Sequence, residues 1–259
     1  MYQLLKYEVQ EGICTIVLNR PEVYNALSPA LIQEITQAVE TAAESLEVRV
    51  IVITGAGEKA FCSGADLKAG VGNAASLGES LRKNYNPMIL AIRNAPKPVI
   101  CRLNGIAAGA GCSLALACDS IIAAENASMS QIFVNIGLIM DAGSSYFLPR
   151  LVGSQKAFEL CSTGRIVAAE ECLALGLVNQ VVTNDALDGA VQQLALQYAK
   201  APTKAIGLIK KVLNHSGNSS LEQMLELEAV YQDEAAQTQD FMEGVSAFLQ
   251  KKRPNFKGI

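Results

Sequence analysis

Val99-Ile100-Cys101-Arg102-Leu103-Asn104-Gly105-Ile106-Ala107-Ala108-Gly109-Ala110-Gly111-Cys112-Ser113-Leu114-Ala115-Leu116-Ala117-Cys118 runs through three kinds of local chemistry in a short space. The β-branched opening at Val99-Ile100-Cys101 reads as a buried strand. Gly105 and Gly109 mark a turn, and the Ala, Gly and Leu run to Cys118 reads as a helix of small residues packed closely on its neighbours. Ile121-Ile122-Ala123-Ala124 is the next apolar strand. Strand, helix and strand joined by short links predict an α/β core.

The same order extends towards the N-terminus. Val50-Ile51-Val52-Ile53, closed by Gly55-Ala56-Gly57, is a strand buried on both faces. Ser28-Pro29 supplies an N-cap and a first-turn proline for a helix carrying Leu31, Ile35, Ala38, Val39 and Ala42. Tyr7 and Val9, then Ile13 to Leu18, flank Glu11-Gly12 and predict a hairpin. A helical stretch around Leu81, Tyr85, Met88, Ile89 and Ile92 ends at Pro96-Lys97-Pro98. Beyond about Ala186 the pattern is helical throughout, so the chain divides into a core over 1–185 and a helical C-terminal region over 186–259 used for packing and oligomerisation.

The 259 residues carry a formal net charge of −4, which gives no basic footprint for nucleic acid. The seven cysteines include no CxxC pair and sit among apolar neighbours, as expected of free thiols in a reducing compartment. The single histidine, His215, has no partner ligands for a metal and reads as a surface residue. Charges interrupt the N-terminal residues, so no signal peptide is expected, and no uncharged run reaches the length of a membrane span. A cytoplasmic protein is the expectation, with no nucleic-acid or membrane partner.

Two loops carry the chemistry: Ala60-Phe61-Cys62-Ser63-Gly64-Ala65-Asp66-Leu67 and Asn104-Gly105-Ile106-Ala107-Ala108-Gly109-Ala110-Gly111-Cys112. Small residues let backbone approach a ligand, and two N–H donors converging from separate loops would form an oxyanion hole. The same residues also suit tight helix–strand packing. Spacing alone leaves both readings open.

Ordered motifs resemble those of the crotonase (enoyl-CoA hydratase/isomerase) superfamily along nearly the whole chain. They are Asn19-Arg20-Pro21 with Asn25-Ala26-Leu27, Phe61-Cys62-Ser63-Gly64-Ala65-Asp66-Leu67-Lys68, Lys97-Pro98-Val99-Ile100 with Asn104-Gly105 and Gly109-Ala110-Gly111-Cys112, and Leu148-Pro149-Arg150-Leu151-Val152-Gly153 with Gly176-Leu177-Val178. The resemblance implies a repeated ββα superhelix with a helical C-terminal region, assembled as a homotrimer or a dimer of trimers. It implies an acyl-CoA thioester substrate, with coenzyme A as part of that substrate and no separate cofactor or metal. It also implies that the backbone N–H groups of Ala65 and Ala110 hold the thioester oxygen, with Ala26, Gly64, Asp66, Leu67, Lys68, Gly109, Ser113, Phe133 and Lys252 around the substrate.

The departures define the chemistry further. Typical hydratases of the superfamily use two glutamates, and those places fall here on Ser113 and Phe133, neither of which can act as a carboxylate base. Ser113 also fits simply as a small residue of a packed helix, and Phe133 as pocket wall. An acid stands instead at Asp141, which resembles dienoyl-CoA isomerases and, most closely, the ring-1,2-epoxyphenylacetyl-CoA isomerases. Asp141 reads as the single acid/base of an isomerase that shifts a double bond or opens an aryl epoxide ring. It reads equally as the N-cap of the helix through Tyr146 and Leu148, in which case its loss would cost about 1 kcal/mol.

Asp66 and Asp119 read as loop braces. Lys68 and Lys252 read as contacts to coenzyme A phosphates or, equally, as ordinary surface lysines, Lys252 lying beside Lys251 and Arg253 at a basic helix end. The rival readings are an enoyl-CoA hydratase-like enzyme, a 4-chlorobenzoyl-CoA dehalogenase-like enzyme, and a non-catalytic acyl-CoA- or RNA-binding relative. The dehalogenase would need a histidine near Asn86 and a tryptophan near Phe133, and the chain has no Trp.

Overall fold

The computed structural model describes residues 2–70, 72 and 74–259. The strands are β1 (Leu5–Gln10), β2 (Ile13–Leu18), β3 (Val50–Gly55), β4 (Ala60–Cys62), β5 (Val99–Leu103), β6 (Ile106–Ala108), β7 (Ser120–Ala124), β8 (Ser128–Ser130), β9 (Ile166–Ala168) and β10 (Gln180–Val182). One sheet has the order β1-β2-β3-β5-β7-β10 and the other β4-β6-β8-β9. Consecutive strands part company: β3, β5 and β7 lie side by side in the first sheet, while β4, β6 and β8 belong to the second. The unit is therefore two strands, one for each sheet, followed by a helix that returns the chain to the next layer. All pairings are parallel except β1 with β2 and β8 with β9.

Every residue of β3 is buried, as its unbroken apolar run requires. The hairpin forms at Glu11 and Gly12, both with positive φ. Helix α1 (Pro29–Glu44) starts where expected, with the Ser28 hydroxyl accepting from the Leu31 N–H at 3.3 Å. Helix α2 (Leu77–Ser80) runs through a π-helical turn, Leu81–Tyr85, into α3 (Asn86–Asn94). Helix α4 (Ala110–Leu116) is wholly buried. The remaining helices are α5 (Ser144–Thr163, broken at Gly153), α6 (Ala169–Ala174), α7 (Leu187–Ala199), α8 (Thr203–Ser216), α9 (Leu221–Ala236) and α10 (Gln239–Leu249). After Val182 the described residues hold helices and no strand.

Two buried lysines fasten helix ends to the core. Lys97 Nζ donates to the Ala42 and Ser45 carbonyls at the end of α1, at 2.7 and 2.5 Å. Lys210, on α8, donates to the Ile92 carbonyl at 2.7 Å and pairs with Asp119 at 2.7 Å. Asp119 also takes Arg93 at 3.1 Å and the Val99 N–H at 2.8 Å, so one carboxylate joins α3, β5 and α8. Such a charge is stable under cover because each oxygen is satisfied. All seven cysteines are free and six are buried. No helix among the described residues is long and apolar enough to cross a membrane.

Gly111 is the tightest point of the core. A Cβ there would stand 2.2 Å from the Cys62 carbonyl oxygen, so α4 can lie on β4 only if this residue has no side chain. Gly111→Ala is expected to lower stability by about 1–3 kcal/mol, read as a lower midpoint in chemical denaturation at unchanged m-value.

Candidate active site

The first loop leaves β4 at Cys62 and turns at Gly64, whose φ is +95° and whose added Cβ would meet the Ala108 carbonyl oxygen at 2.7 Å. Leu27 then holds the loop as a parallel bridge to Ala65: the Leu27 N–H donates to the Gly64 carbonyl at 2.8 Å, and the Asp66 N–H to the Leu27 carbonyl at 3.0 Å. In such a bridge the middle residue points its own N–H the other way. The Ala65 N–H has no acceptor among the described residues. The second loop ends at Gly109, the N-cap of α4, and Ala110 is that helix's first residue, with an N–H that no intrahelical carbonyl can reach. The Gly64 Cβ position lies 3.4 Å from the Ala110 nitrogen, so the two loops stand side by side.

Both loops open on a cavity of about 540 Å³, within the usual range for small-molecule sites. Leu81, Phe133, Ile136, Leu138, Ile139 and Met140 supply its apolar lining, and Asp141 and Tyr85 also face it. Gly64, Ala65, Asp66, Leu67, Gly109, Ala110, Phe133 and Asp141, all singled out from the sequence, lie on this one surface. Phe133 is a buried wall whose ring stands 3.7 Å from where a Gly109 Cβ would be. Asp66 lies on the wall but is engaged by Arg20 at 2.9 Å and by the Lys68 and Ala69 N–H groups. Burial raises its carboxyl and Arg20 with these N–H groups outweighs that, leaving it below its ordinary value.

Four of the expected residues do not line the cavity. Ala26 is buried and gives its carbonyl to Arg20 at 2.7 Å. Lys68 is exposed beyond Asp66, and Lys252 is exposed beyond α10. Ser113 is fully buried behind the wall, with its hydroxyl donating to the Asp141 carbonyl at 3.0 Å and 2.7 Å from the Ser144 hydroxyl, which also takes Gln131 Nε2 at 2.9 Å. Ser113 thus holds the Asp141 segment from behind.

Asp141 does not cap α5. The N-cap is Gly143, without a side-chain bond, and Ala142 and Gly143 both have positive φ (47° and 84°). These two left-handed residues turn the chain between Asp141 and the helix, so the carboxylate is free of the helix end. Its Oδ1 is sealed and has no hydrogen-bond partner among the described residues. Burial pushes its carboxyl up to about 6. A half-buried carboxylate that has no partner among the described residues and still ionises near neutral pH is in the state a general base requires.

Tyr85 is legible in the sequence only as a helical core position, because it falls four residues from Leu81 and four from Ile89. Its ring is buried, but its hydroxyl has no partner among the described residues. A larger opening, about 740 Å³, lies among α3, α5, α7 and α8, around Arg93, Tyr146, Arg150 and Lys210. Its carboxylate, Asp119, is already neutralised by Arg93 and Lys210, so it lacks the chemistry of the smaller cavity.

A family profile described as enoyl-CoA hydratase/isomerase matches residues 8–259. The chain belongs to the enoyl-CoA hydratase/isomerase family. Among similar proteins, a Rhodobacter capsulatus protein named "Probable enoyl-CoA hydratase" is 41% identical, with 99% of each chain covered. The 1,2-epoxyphenylacetyl-CoA isomerase of Escherichia coli is 38% identical over the full length of both. The solved structure of the Bacillus anthracis enoyl-CoA hydratase superimposes with a TM-score of 0.94 at 35% identity, covering 99% of this chain and 100% of the other. The family's crotonase fold and its acyl-CoA chemistry therefore apply here, and both hydratase and isomerase names occur among the relatives.

The freed carboxylate reverses the effect on stability expected of a helix cap. The folded carboxyl takes its proton at about pH 6, whereas an ordinary Asp carboxyl has a value of 3.8. Ionised Asp141 therefore destabilises the fold above about pH 6, and the penalty vanishes as pH falls towards the unfolded value. Asp141→Asn is expected to raise the melting temperature at pH 8 by about 2–4 °C, corresponding to about 1 kcal/mol after allowance for solvent in the cavity. The two proteins should melt together near pH 4. Equal melting at both pH values, or a loss at pH 8, would restore the helix-cap role.

Proposed function

We propose that this enzyme is an acyl-CoA isomerase with Asp141 as its single acid/base carboxylate. The observation that carries this reading is the unpartnered Asp141 carboxylate on the wall of the cavity that both small-residue loops enter. Among the described residues, the other carboxylate on that wall is Asp66, and Arg20 occupies it. The places of the two hydratase glutamates hold a buried hydroxyl already engaged at Ser113 and an aromatic wall at Phe133. Hydration would need a carboxylate to activate water there, so isomerisation is the reading favoured over a hydratase. The unpaired N–H groups, the cavity and the carboxylate likewise favour an enzyme over a passive binding relative.

The chemistry needs one proton and no separate cofactor. The Ala65 and Ala110 N–H groups hold the thioester oxygen, and Asp141 takes a proton from the carbon beside the thioester carbonyl. The C–H electron pair moves onto the thioester as an enolate whose oxygen the two N–H groups stabilise. When the enolate collapses, its electrons pass through the adjacent double bond, and a more distant carbon takes the proton back from Asp141. Charge and atoms balance, and the double bond moves into conjugation with the thioester. With an aryl epoxide beside the thioester, the C–C bond shared by ring and epoxide breaks to give the seven-membered oxygen ring. Asp141 then removes the proton from the carbon beside the thioester carbonyl, the electron pair passes through the enolate into the ring, and a ring carbon takes the same proton back, so the product is an isomer of the substrate. Each branch of the scheme needs Asp141 ionised at the start.

The C-terminal helices support assembly as a homotrimer or dimer of trimers. Helix α9 has no buried side chain in the isolated chain, and Leu221, Leu225 and Val230 on it, with Phe241, Met242, Phe248 and Leu249 on α10, are exposed. Apolar surface of this extent favours burial against further copies of the chain. Light scattering should give three or six times the chain mass, and a monomer mass at assay concentration would overturn that assembly.

Asp141→Asn keeps the shape but cannot take the proton, and is expected to slow the isomerisation of a 3-enoyl-CoA, followed by the appearance of conjugated enoyl absorbance, by about 10²-fold or more. In the unsubstituted enzyme kcat/KM should fall about tenfold per pH unit below about pH 6 and level off above it, because only the ionised carboxylate is a base. Unchanged rates in Asp141→Asn with coenzyme A thioester binding intact would remove Asp141 from the chemistry.

A further inference from the structure

The polar side chains on the cavity wall are Ser63, Asp66, Ser80, Tyr85, Asn135 and Asp141. Most have an occupation. Ser63 Oγ faces the Val23 carbonyl at 3.4 Å, Ser80 Oγ takes Asn84 Nδ2 at 3.3 Å, and Asp66 is held by Arg20. Asn135 is exposed and hydrated by bulk solvent. Asp141 is the carboxylate assigned to the proton transfer. Tyr85 remains. Only 8% of it is exposed, so its ring is fixed in the core, yet its hydroxyl finds no protein partner among the described residues and is not sealed off. A hydroxyl on a cavity-lining ring that no described residue bonds or seals faces whatever fills the cavity.

The backbone places it there. Tyr85 closes the π-helical turn Leu81–Tyr85. A π-turn inserts a residue into a helix and rotates the residues beyond it, a device common at functional sites. Leu81 and Tyr85 face the cavity, whereas Met88 and Ile92, one and two turns further on, are fully buried in the core. Burial above all, and then the negative charges of Asp141 and Asp66, hold the phenol well above its ordinary value. The group is therefore a hydrogen-bond donor at any working pH and not a base.

An acyl group filling the cavity must displace the water that such a donor uses. A plain hydrocarbon chain would leave the hydroxyl buried and unsatisfied, which is costly, whereas an oxygen on the acyl group would restore the bond. We propose that Tyr85 is a specificity-determining residue. Its hydroxyl donates to an oxygen carried by the acyl group beyond the thioester, such as an ether, epoxide or hydroxyl oxygen, and so selects oxygen-bearing acyl-CoA substrates over hydrocarbon ones. The inference rests on the reading that the acyl group of a coenzyme A thioester occupies this cavity. It does not require Asp141 to be the base.

The test is a binding cycle with no turnover. Phenylacetyl-CoA and 2-hydroxyphenylacetyl-CoA differ by one ring oxygen and are titrated calorimetrically into the full-length enzyme and into Tyr85→Phe, which keeps the ring and its packing. The unsubstituted enzyme should prefer the hydroxylated thioester by about 3–10-fold, the scale of one net hydrogen bond. Tyr85→Phe should lose that preference, by binding the hydroxylated ligand less well and phenylacetyl-CoA as well or better. Equal affinity of the unsubstituted enzyme for the two ligands, binding of neither, or a preference that survives in Tyr85→Phe would overturn the proposal. Equal weakening for both ligands would reduce Tyr85 to packing and overturn it too. Asp141→Asn with unchanged isomerisation but an intact binding cycle would overturn the catalytic assignment alone.

Discussion

The first turn of α4 lies so close to the end of β4 that a Cβ on Gly111 would stand 2.2 Å from the Cys62 carbonyl oxygen. That contact sets the distance between the loops that follow β4 and β6, and the site follows from it. Because β4 and β6 are neighbours in the second sheet, the chain leaves that sheet at the same level in successive repeats. Ala65 and Ala110 lie just past these two strand ends. At each, neighbouring backbone groups are already tied, through Leu27 at Gly64 and Asp66 and through Ser130 at Gly109. What is left over is one N–H per loop. A fold that pairs nearly all its backbone groups can leave two donors open only where a ligand or water reaches them. The stacking of the repeats makes those two adjacent.

The carboxylate is held by a different logic. No described residue bonds the Asp141 Oδ1, yet the main chain of the residue is gripped from behind by Ser113 and Ser144 and turned by two left-handed residues. The orienting forces act on the backbone and leave the carboxylate free. Gln131 Oε1, in the same buried polar group, is likewise sealed without a partner among the described residues. Unsatisfied polar atoms are rare in a packed interior and are concentrated where chemistry needs them. Positioning by backbone restraint leaves the Asp141 carboxylate its basicity, whereas positioning by a cation, as Arg20 does for Asp66, would have lowered it.

Much of this is readable from the chain. The hairpin at Glu11-Gly12, the Ser28 cap, the buried run Val50–Ile53 and the two small-residue loops announce themselves because each depends on local chemistry: glycine at positive φ, a hydroxyl before a proline, an unbroken apolar strand. The short strands β4, β6, β8 and β9 do not, since three residues carry no periodicity and their pairing is decided by partners far along the chain. The spacing from Asp141 to Tyr146 and Leu148 suggests a cap, and it cannot reveal that Ala142, a residue with a Cβ, takes φ of 47°. Tyr85 is hidden for a related reason. A π-turn changes the face of a helix without changing its composition, so a cavity residue and a core residue look alike in the sequence. Lys97 and Lys210 are also invisible as helix fasteners, since their acceptors lie on other elements.

The buried thiols have one more consequence. Cys62, Cys101 and Cys112 lie on β4, β5 and α4, around the contact that aligns the two loops. Burial pushes Cys62 up to about 12, and the other two also stand above the ordinary thiol range. Each is an inert, protonated group while the molecule is closed, and becomes an ordinary alkylatable thiol when its surroundings part. The chain thus carries its own chemical clock: the labelling rate at each of these cysteines times how often the centre of the molecule breathes open, with no probe introduced from outside.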